Sequence, residues 1–254
     1  MILVYAFLII TLALVLSYAT VGGGARNHVN VGGASGEAIG EINYRPGDWN
    51  CPDNCQIQHS HNCYTYVLND LHPEVISECE ERKKTDGKDC NDMFHQPGFY
   101  HQKYRLGKKI SEITPNGGEM MNCARLLGQV KKDNDGIIEF SKPKDGHGVP
   151  EQWGAQDKCP DGYYMGALTI DPGRMYHFYR RDQWDPHSGK YYWSHKDGGA
   201  KATNLDSSGR RITDPNIANR KYSKYNYSEV CPYFCLPQNN VKQTRSDHRS
   251  QDGV

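Results

Sequence analysis

Three side chains in this sequence have the types and the order needed for nucleophilic acyl chemistry: Cys63, His177 and His195. Cys63 stands in the stretch HSHNCYTYVLND, residues 59–70, where a helix-like apolar pattern begins. Backbone N–H groups at a helix N-terminus stabilise a thiolate and lower the pKa of a cysteine. A lowered pKa would make Cys63 a nucleophile at neutral pH. The alternative is that Cys63 is a disulfide partner or a small buried residue.

The two histidines lie 18 residues apart in segments rich in β-forming residues. The turn-rich stretch QWDPHSG separates them and predicts a hairpin. If the hairpin centres near Pro186, His177 and His195 lie directly opposite on one face, where cross-strand Cβ atoms are about 5 Å apart. One imidazole could then orient the other, whereas a slip of one residue would put them on opposite faces. The sequence leaves the register open, and a core or surface role for His177 is the alternative.

The nine cysteines bear on the same question, because an odd number leaves at least one without a partner in the chain. Their density behind an apolar leader predicts an oxidising compartment and disulfides. Eight could form four bridges and leave Cys63 free, although the count would fit any of the nine. A zinc site is the alternative for four of them, with His59 and His61 nearby. These four are Cys51, Cys55, Cys231 and Cys235.

Charge and composition exclude some classes of function. The 30 basic residues balance the 30 acidic ones, so no basic excess exists to neutralise phosphates and we expect no nucleic-acid partner. The mean hydropathy of −0.80 predicts a polar chain with a modest core. The 17 tyrosines and 26 glycines suit short strands and turns. We also expect no cofactor and no resident metal.

Four regions are predicted along the chain. Residues 1–21 carry no charge and are long enough to be a membrane anchor or a cleaved signal. Residues 22–48 are Gly-rich and predict a flexible stalk, and residues 238–254 predict a disordered polar tail. The folded domain is expected at 49–237. The glycosylation sequon at 226–228 fits an extracellular, lumenal or virion face, with the chain either anchored or secreted.

Within the folded domain, helices precede strands. Apolar residues at helical spacing predict a helix from Asn62 or Cys63 to Leu71, with Asn62 as its cap, and further helices at 73–83 and 117–130. Segments rich in β-formers, bounded by turns, predict strands at 162–170, 174–182, 190–195 and within 229–236. This order predicts an α+β fold in which N-terminal helices pack on an antiparallel β-sheet.

Together these features resemble the papain-like thiol hydrolases, most closely their NlpC/P60 and CHAP branches. NCYTYV resembles the helix start that carries the cysteine in CHAP domains. HFYRRDQWDPHSGKYYWSH resembles the strand, turn and strand that carry the histidines in NlpC/P60 domains. The resemblance spans roughly residues 60–235 and implies a papain-like core, which the cysteines would make disulfide-rich.

The resemblance also implies roles for individual residues. Cys63 would be the nucleophile, and His177 would be the general base that takes its proton. His195 would hold His177 in the correct tautomer, with Asn204 as the substitute if the register differs. The backbone N–H of Cys63 and the Gln58 side chain would stabilise the oxyanion.

The implied function is a membrane-anchored or secreted cysteine hydrolase or acyl transferase, acting on a peptide or amide bond. The N-terminal segment would provide the contact with the membrane. The alternative is a non-catalytic surface or virion structural protein that retains the fold. A disulfide map would separate the two, because only the enzyme requires a free Cys63.

Overall fold

A computed structural model describes residues 42–50, 56–109, 112–113, 121–134, 141 and 151–238. All of them belong to one compact unit, Ala38–Val254. The predicted anchor or signal at 1–21 lies outside the described residues, as do residues 22–41 of the predicted stalk and 239–254 of the predicted tail. Residues 42–48 are described, and Ile42 packs against the main core. Packing against the core therefore begins before the predicted boundary at residue 49.

The described part of the chain contains four α-helices and three helical segments of other types. The α-helices are α1 (Ile57–Ser60), α2 (Cys63–Val67), α3 (Pro73–Thr85) and α4 (Cys123–Asp133). Two 3-10 turns occur at Pro46–Asp48 and Asn91–Met93, and a π-helix occurs at His101–Arg105. The start of α4 differs from the predicted 117, because Asn122 caps the helix by accepting a hydrogen bond from the Arg125 N–H.

Helix α2 begins at Cys63 because Asn62 provides a capping box. The Asn62 Oδ1 accepts from the N–H groups of Tyr64 and Thr65, each at 3.1 Å, and the Thr65 Oγ1 accepts from the Asn62 N–H at 3.1 Å. The helix is shorter than the predicted one, because Asn69 adopts a left-handed conformation with φ of 48°. These two local features fix the position of Cys63 at the N-terminus of a short helix.

The six strands of the described residues pair antiparallel in one sheet. The strands are β1 (Tyr163–Asp171), β2 (Met175–Asp185), β3 (Lys190–Lys196), β4 (Ala202–Thr203), β5 (Glu229–Val230) and β6 (Phe234–Pro237). Their order is β4-β3-β2-β1-β5, and β6 also pairs with β1. The predicted last strand is therefore two short strands that follow one another along the outer edge of β1.

Both faces of the sheet are covered, and we name them by what covers them. On the helix face, side chains such as Phe178 and Leu168 pack with Tyr64 and Val67 of α2. On the loop face, Tyr179 and Trp193 pack with residues of the loops, among them Trp153, Ala155, Cys159 and Ile212. Because successive side chains of a strand alternate between faces, each residue of β2 faces either the helices or the loops.

Among the described residues, three disulfides are present: Cys79–Cys90, Cys123–Cys231 and Cys159–Cys235. The prediction of a disulfide-rich α+β domain with an antiparallel sheet is confirmed. The zinc alternative is wrong for Cys231 and Cys235, because a cysteine in a disulfide offers no thiolate to a metal. Cys51 and Cys55 lie outside the described residues. Among the described helices, none is both long and apolar enough to cross a bilayer.

Candidate functional site

His177 and His195 form a hydrogen-bonded pair buried on the loop face. The His177 Nε2 lies 2.8 Å from the His195 Nδ1, and the His195 Nε2 lies 3.0 Å from the Leu205 carbonyl oxygen. A carbonyl only accepts, so His195 carries its proton on Nε2 and its Nδ1 accepts from the His177 Nε2–H. We therefore assign the lone pair of neutral His177 to Nδ1. No hydrogen-bond partner of that atom is found in the described part of the chain.

The register that brings the two rings together differs from the predicted one. The Cα partner of His195 is Tyr179, not His177, because the hairpin turn joins Asp185 to Lys190 and is centred beyond Pro186, which by itself displaces the pairing by three residues. A β-bulge between Arg181 and Gln183 then takes back one of the three. The shift amounts to two residues, which keeps both histidines on one face. The two rings therefore meet as diagonal neighbours. The predicted contact is present, but the directly opposed pairing is wrong.

Cys63 is the free cysteine among those described, and it is buried with 6% of its surface exposed. Burial raises the pKa of the Cys63 thiol to about 12, although the Phe178 backbone N–H acts in the opposite direction. The helix N-terminus is in place as predicted. Its stabilisation of a thiolate is outweighed by the removal of the thiol from water. Cys63 therefore remains a protonated thiol at neutral pH.

The structure does not join Cys63 to the histidine pair. Cys63 belongs to the helix-face cluster that takes Tyr176 and Phe178 from β2. His177, between them in sequence, turns to the loop face, where its ring stacks on Tyr227 at a centroid distance of 5.2 Å. Within the described residues, no hydrogen bond links the thiol to either nitrogen of His177. The predicted triad is therefore present as a histidine pair and a separate buried thiol.

Gln58 and Asn204 have partners other than those predicted. The Gln58 Nε2 donates to the Gly199 carbonyl oxygen at 3.2 Å, so this amide holds a loop instead of standing ready for an oxyanion. The Asn204 Nδ2 lies 3.5 Å from the Gln183 Oε1 of β2, which is a long contact. The third position, next to His177, is held by His195. The proposed substitute role of Asn204 is therefore not needed.

Lys196 is a buried residue that the sequence reasoning missed. Its Nζ donates to the carbonyl oxygens of Gln58 at 2.6 Å, His61 at 2.6 Å and Gly198 at 2.5 Å. Burial lowers the pKa of Lys196 to about 7, while the three acceptors match the three donors of a charged ammonium. This side chain ties the segment that leads into Cys63 to the end of β3. Side chains alternate between the two faces of the sheet along β3, so Lys196 lies on the same covered face as Ser194. This alternation could have indicated that Lys196 is buried.

Arg180 and Asp182 form a second buried polar group on the helix face. The Arg180 Nη2 lies 3.1 Å from the Asp182 Oδ2, with both side chains 1% exposed. That oxygen also accepts from the Ser194 Oγ at 2.5 Å and from the Tyr66 hydroxyl at 3.3 Å. Burial raises the pKa of Asp182, and the Arg180 charge opposes that shift. The group links α2 to β2 and β3.

The cavity found in the described part of the chain lies away from Cys63 and His177. It measures about 330 Å³ and lies between α3 and the segment 92–104. His72 and His95 line it, and both are within hydrogen-bonding distance of the Tyr100 hydroxyl, at 2.5 and 2.7 Å. The Asp70 Oδ2 lies 2.7 Å from the His72 Nε2. In the same described residues, no group of three side chains could hold a metal ion.

Comparison with known proteins gives one informative relative. No protein-family model matches the chain, and no solved structure matches it. The chain is 30% identical over 178 residues to insoluble matrix shell protein 1 of Ruditapes philippinarum. The match covers 70% of this chain and 80% of that protein.

Proposed function

Because the chain belongs to the family of insoluble matrix shell protein 1, we propose that it is a non-catalytic structural protein of an extracellular matrix. The name of the relative supports an insoluble matrix as the setting. Three disulfides support an oxidising route out of the cell. In this proposal, residues 1–21 direct the chain into the secretory route, either as an anchor or as a cleaved signal.

The observation that carries this proposal is the state of Cys63. A nucleophilic cysteine needs a thiolate and a neighbouring base. The Cys63 thiol is 6% exposed, and burial raises its pKa to about 12. Its predicted base, His177, is directed to the other face of the sheet. These features suit a residue that fills the core.

A thiol-labelling experiment tests the proposal. Iodoacetamide at pH 7.5 should leave Cys63 unmodified in the folded protein and modify it quickly in urea, as followed by peptide mass spectrometry. The proposal fails if Cys63 of the folded protein reacts quickly and His177→Ala abolishes that reaction. His187→Ala is the matched control, because His187 is an exposed histidine in the turn between β2 and β3.

The extracellular setting has its own test. Antibodies raised against the domain should detect the protein in the insoluble extracellular fraction of the tissue that makes it. Recovery of the protein mainly inside cells would contradict the proposal. Because this measurement is independent of Cys63, it separates an error about the location from an error about catalysis.

A second candidate function is the thiol hydrolase or acyl transferase with a papain-like core. The observation that favours it is the hydrogen-bond chain from Leu205 through His195 to His177, which leaves a base lone pair on the His177 Nδ1. A catalytic dyad would use that lone pair to deprotonate Cys63. For this activity on a peptide or amide bond, the thiol would have to reach Nδ1. The His177→Ala labelling comparison distinguishes this candidate from the structural one.

A further inference from the structure

The cavity beside α3 has three walls of different character. Glu74, Val75 and Glu78 of α3 form the first wall. Residues 92–96, which include Met93 and Phe94, form the second. Phe99, Lys103 and Tyr104 contribute to the third. Its volume of about 330 Å³ is at the lower end for small-molecule sites, which suits a ligand with one ring.

Two cross-links hold the first two walls together. The disulfide Cys79–Cys90 joins α3 to the residue just before the second wall. Three residues further along α3, Arg82 binds the carboxylate of Asp92 through two hydrogen bonds, of 2.8 and 3.2 Å. A cavity whose walls are fixed in this way exists before any ligand arrives, and a preformed site avoids part of the entropic cost of binding.

The third wall is also held in place. Lys103 and Tyr104 lie on the π-helix His101–Arg105, a type of helix often found at functional sites. The carboxylate of Asp133 on α4 accepts from the N–H of Gly98 at 2.7 Å and from that of His101 at 2.8 Å. The side chains of this wall therefore project from a segment that α4 anchors.

The charges divide across the cavity. On one side, the Lys103 ammonium lies 5.7 Å from the Phe99 ring centre and 5.0 Å from that of Tyr104. Among the described residues it forms no ion pair. On the other side, α3 presents the exposed carboxylates of Glu74 and Glu78, whereas the Arg82 charge of the same helix is paired with Asp92. Apolar side chains, among them Val75, Phe94 and Phe99, line the same cavity.

We propose that this cavity binds a free aromatic amino acid. Its ring would contact Phe94, Phe99 and Tyr104, with the carboxylate at Lys103 and the ammonium at Glu78. An uncharged aromatic compound would leave both charges unused, and a ligand with one charge would face a repelling group on the other side. The assignment does not depend on Cys63 or on the structural role proposed above.

Titration calorimetry of the full folded protein with L-phenylalanine tests the assignment. We expect saturable binding with a dissociation constant of about 0.1–1 mM. N-acetyl-phenylalanine lacks the ammonium, phenylalaninamide lacks the carboxylate, and each should bind about fivefold more weakly. If either derivative binds as tightly as phenylalanine, the occupant is a peptide end and the proposal is wrong. Absence of saturable binding would also overturn it.

Matched variants locate the site. Lys103→Met keeps the apolar stem and should weaken phenylalanine binding about fivefold, as should Glu78→Gln. Lys109→Met removes a charge from the same segment outside the cavity and should leave the affinity unchanged. Val75→Trp should abolish binding by filling the cavity. Thermal unfolding of each variant checks that it folds, and binding that is insensitive to Lys103→Met and Val75→Trp would contradict the assignment.

Discussion

Charged and titratable side chains are buried inside this protein. The partners of each side chain determine how much its burial reduces the stability of the fold. Arg180 and Asp182 are nearly free of contact with water, and the Asp182 Oδ2 binds both the Arg180 guanidinium and the Ser194 hydroxyl. Neutral His177 and His195 are equally buried, and burial lowers the pKa of each. The Arg180–Asp182 pair is stable in the interior only when both groups are charged, whereas the His177–His195 pair is stable there only when both rings are neutral.

Removing one charge of the buried ion pair should be strongly destabilising. Asp182→Asn preserves the shape of the side chain but leaves the Arg180 charge uncompensated, so we expect a loss of about 3–5 kcal/mol in the free energy of unfolding. Urea denaturation measures this loss. Asp92→Asn is the control, because it breaks the exposed pair with Arg82 and should change stability far less. Equal losses in the two variants would show that burial does not determine the cost.

The histidine pair predicts a loss of stability in acid. The unfolded chain binds protons on both histidines below a pKa of about 6.5, whereas the folded protein resists them. Stability is therefore present above pH 6.5 and falls as the pH drops, by up to about 1.4 kcal/mol per pH unit for each histidine. Asp133 opposes this trend below about pH 6, because burial raises its pKa to about 6.

Urea denaturation at several pH values between 7.5 and 5 checks the acid effect. In His177→Gln, the free energy of unfolding should fall less steeply with decreasing pH than in the natural protein. The difference in slope should be up to about 1.4 kcal/mol per pH unit, which corresponds to one proton. His187→Gln should leave the slope unchanged, because His187 is exposed. An unchanged slope in His177→Gln would mean that this histidine does not titrate on unfolding.

At the scale of elements, a short helix is held by its cap and by contacts on both sides. Asn62 accepts from two N–H groups of α2 and also donates to the His95 carbonyl oxygen at 2.9 Å. Asn122 at the start of α4 accepts one such bond. An isolated helix of five residues would not be stable. The stability of α2 must therefore come from its cap and from its packing against the sheet.

Asn62→Ala should therefore destabilise more than Asn122→Ala. We expect a loss of about 2 kcal/mol at Asn62 and about 1 kcal/mol at Asn122, from urea denaturation of both variants. Asn62→Asp should recover the capping part but not the hydrogen bond to His95. If the two alanine variants lose the same amount, the contact with His95 contributes nothing measurable.

The elements also show what the sequence could and could not predict. Strong local signals, such as Asn62 before α2 and Pro73 at the start of α3, gave the correct starts of these helices. The hairpin pairing was wrong by two residues, because the turn is centred beyond Pro186 and the bulge between Arg181 and Gln183, which offsets one residue of that shift, has no signature in the composition. The position of Cys63 at a helix N-terminus was confirmed. Its high pKa was not predicted, because burial depends on packing by residues distant in sequence.

At the scale of the whole molecule, the described disulfides differ in the length of chain that they close. Cys123–Cys231 spans 108 residues and joins α4 to the segment beside β5, whereas Cys79–Cys90 spans 11 residues. Cys159–Cys235 spans 76 residues and fastens a loop-face segment to β6. Counting cysteines predicted disulfides but not these connections, because pairing follows proximity in the fold.

The stability lost when a disulfide is removed should increase with the number of residues in the loop that it closes. In the chain-entropy view, a longer loop restricts the unfolded chain more, so the Cys123→Ser/Cys231→Ser variant should lose about 2 kcal/mol more than Cys79→Ser/Cys90→Ser. Urea denaturation under non-reducing conditions measures both. The reverse order would show that native contacts around each bridge outweigh the restriction of the unfolded chain. The Cys79→Ser/Cys90→Ser variant should also bind phenylalanine more weakly.

The burial of Cys63 has a consequence for the lifetime of the disulfides. A thiol with a pKa of about 12 does not attack a disulfide at neutral pH, so the folded domain is protected from exchange with Cys63. Unfolding exposes that thiol and returns its pKa to about 8.5, where it can exchange with the three bridges found among the described residues. Heating above pH 8 should therefore cause irreversible scrambling, which Cys63→Ala should prevent. Repeated thermal scans of the two proteins would reveal the difference, because only the protein that retains Cys63 has this thiol available for exchange after unfolding.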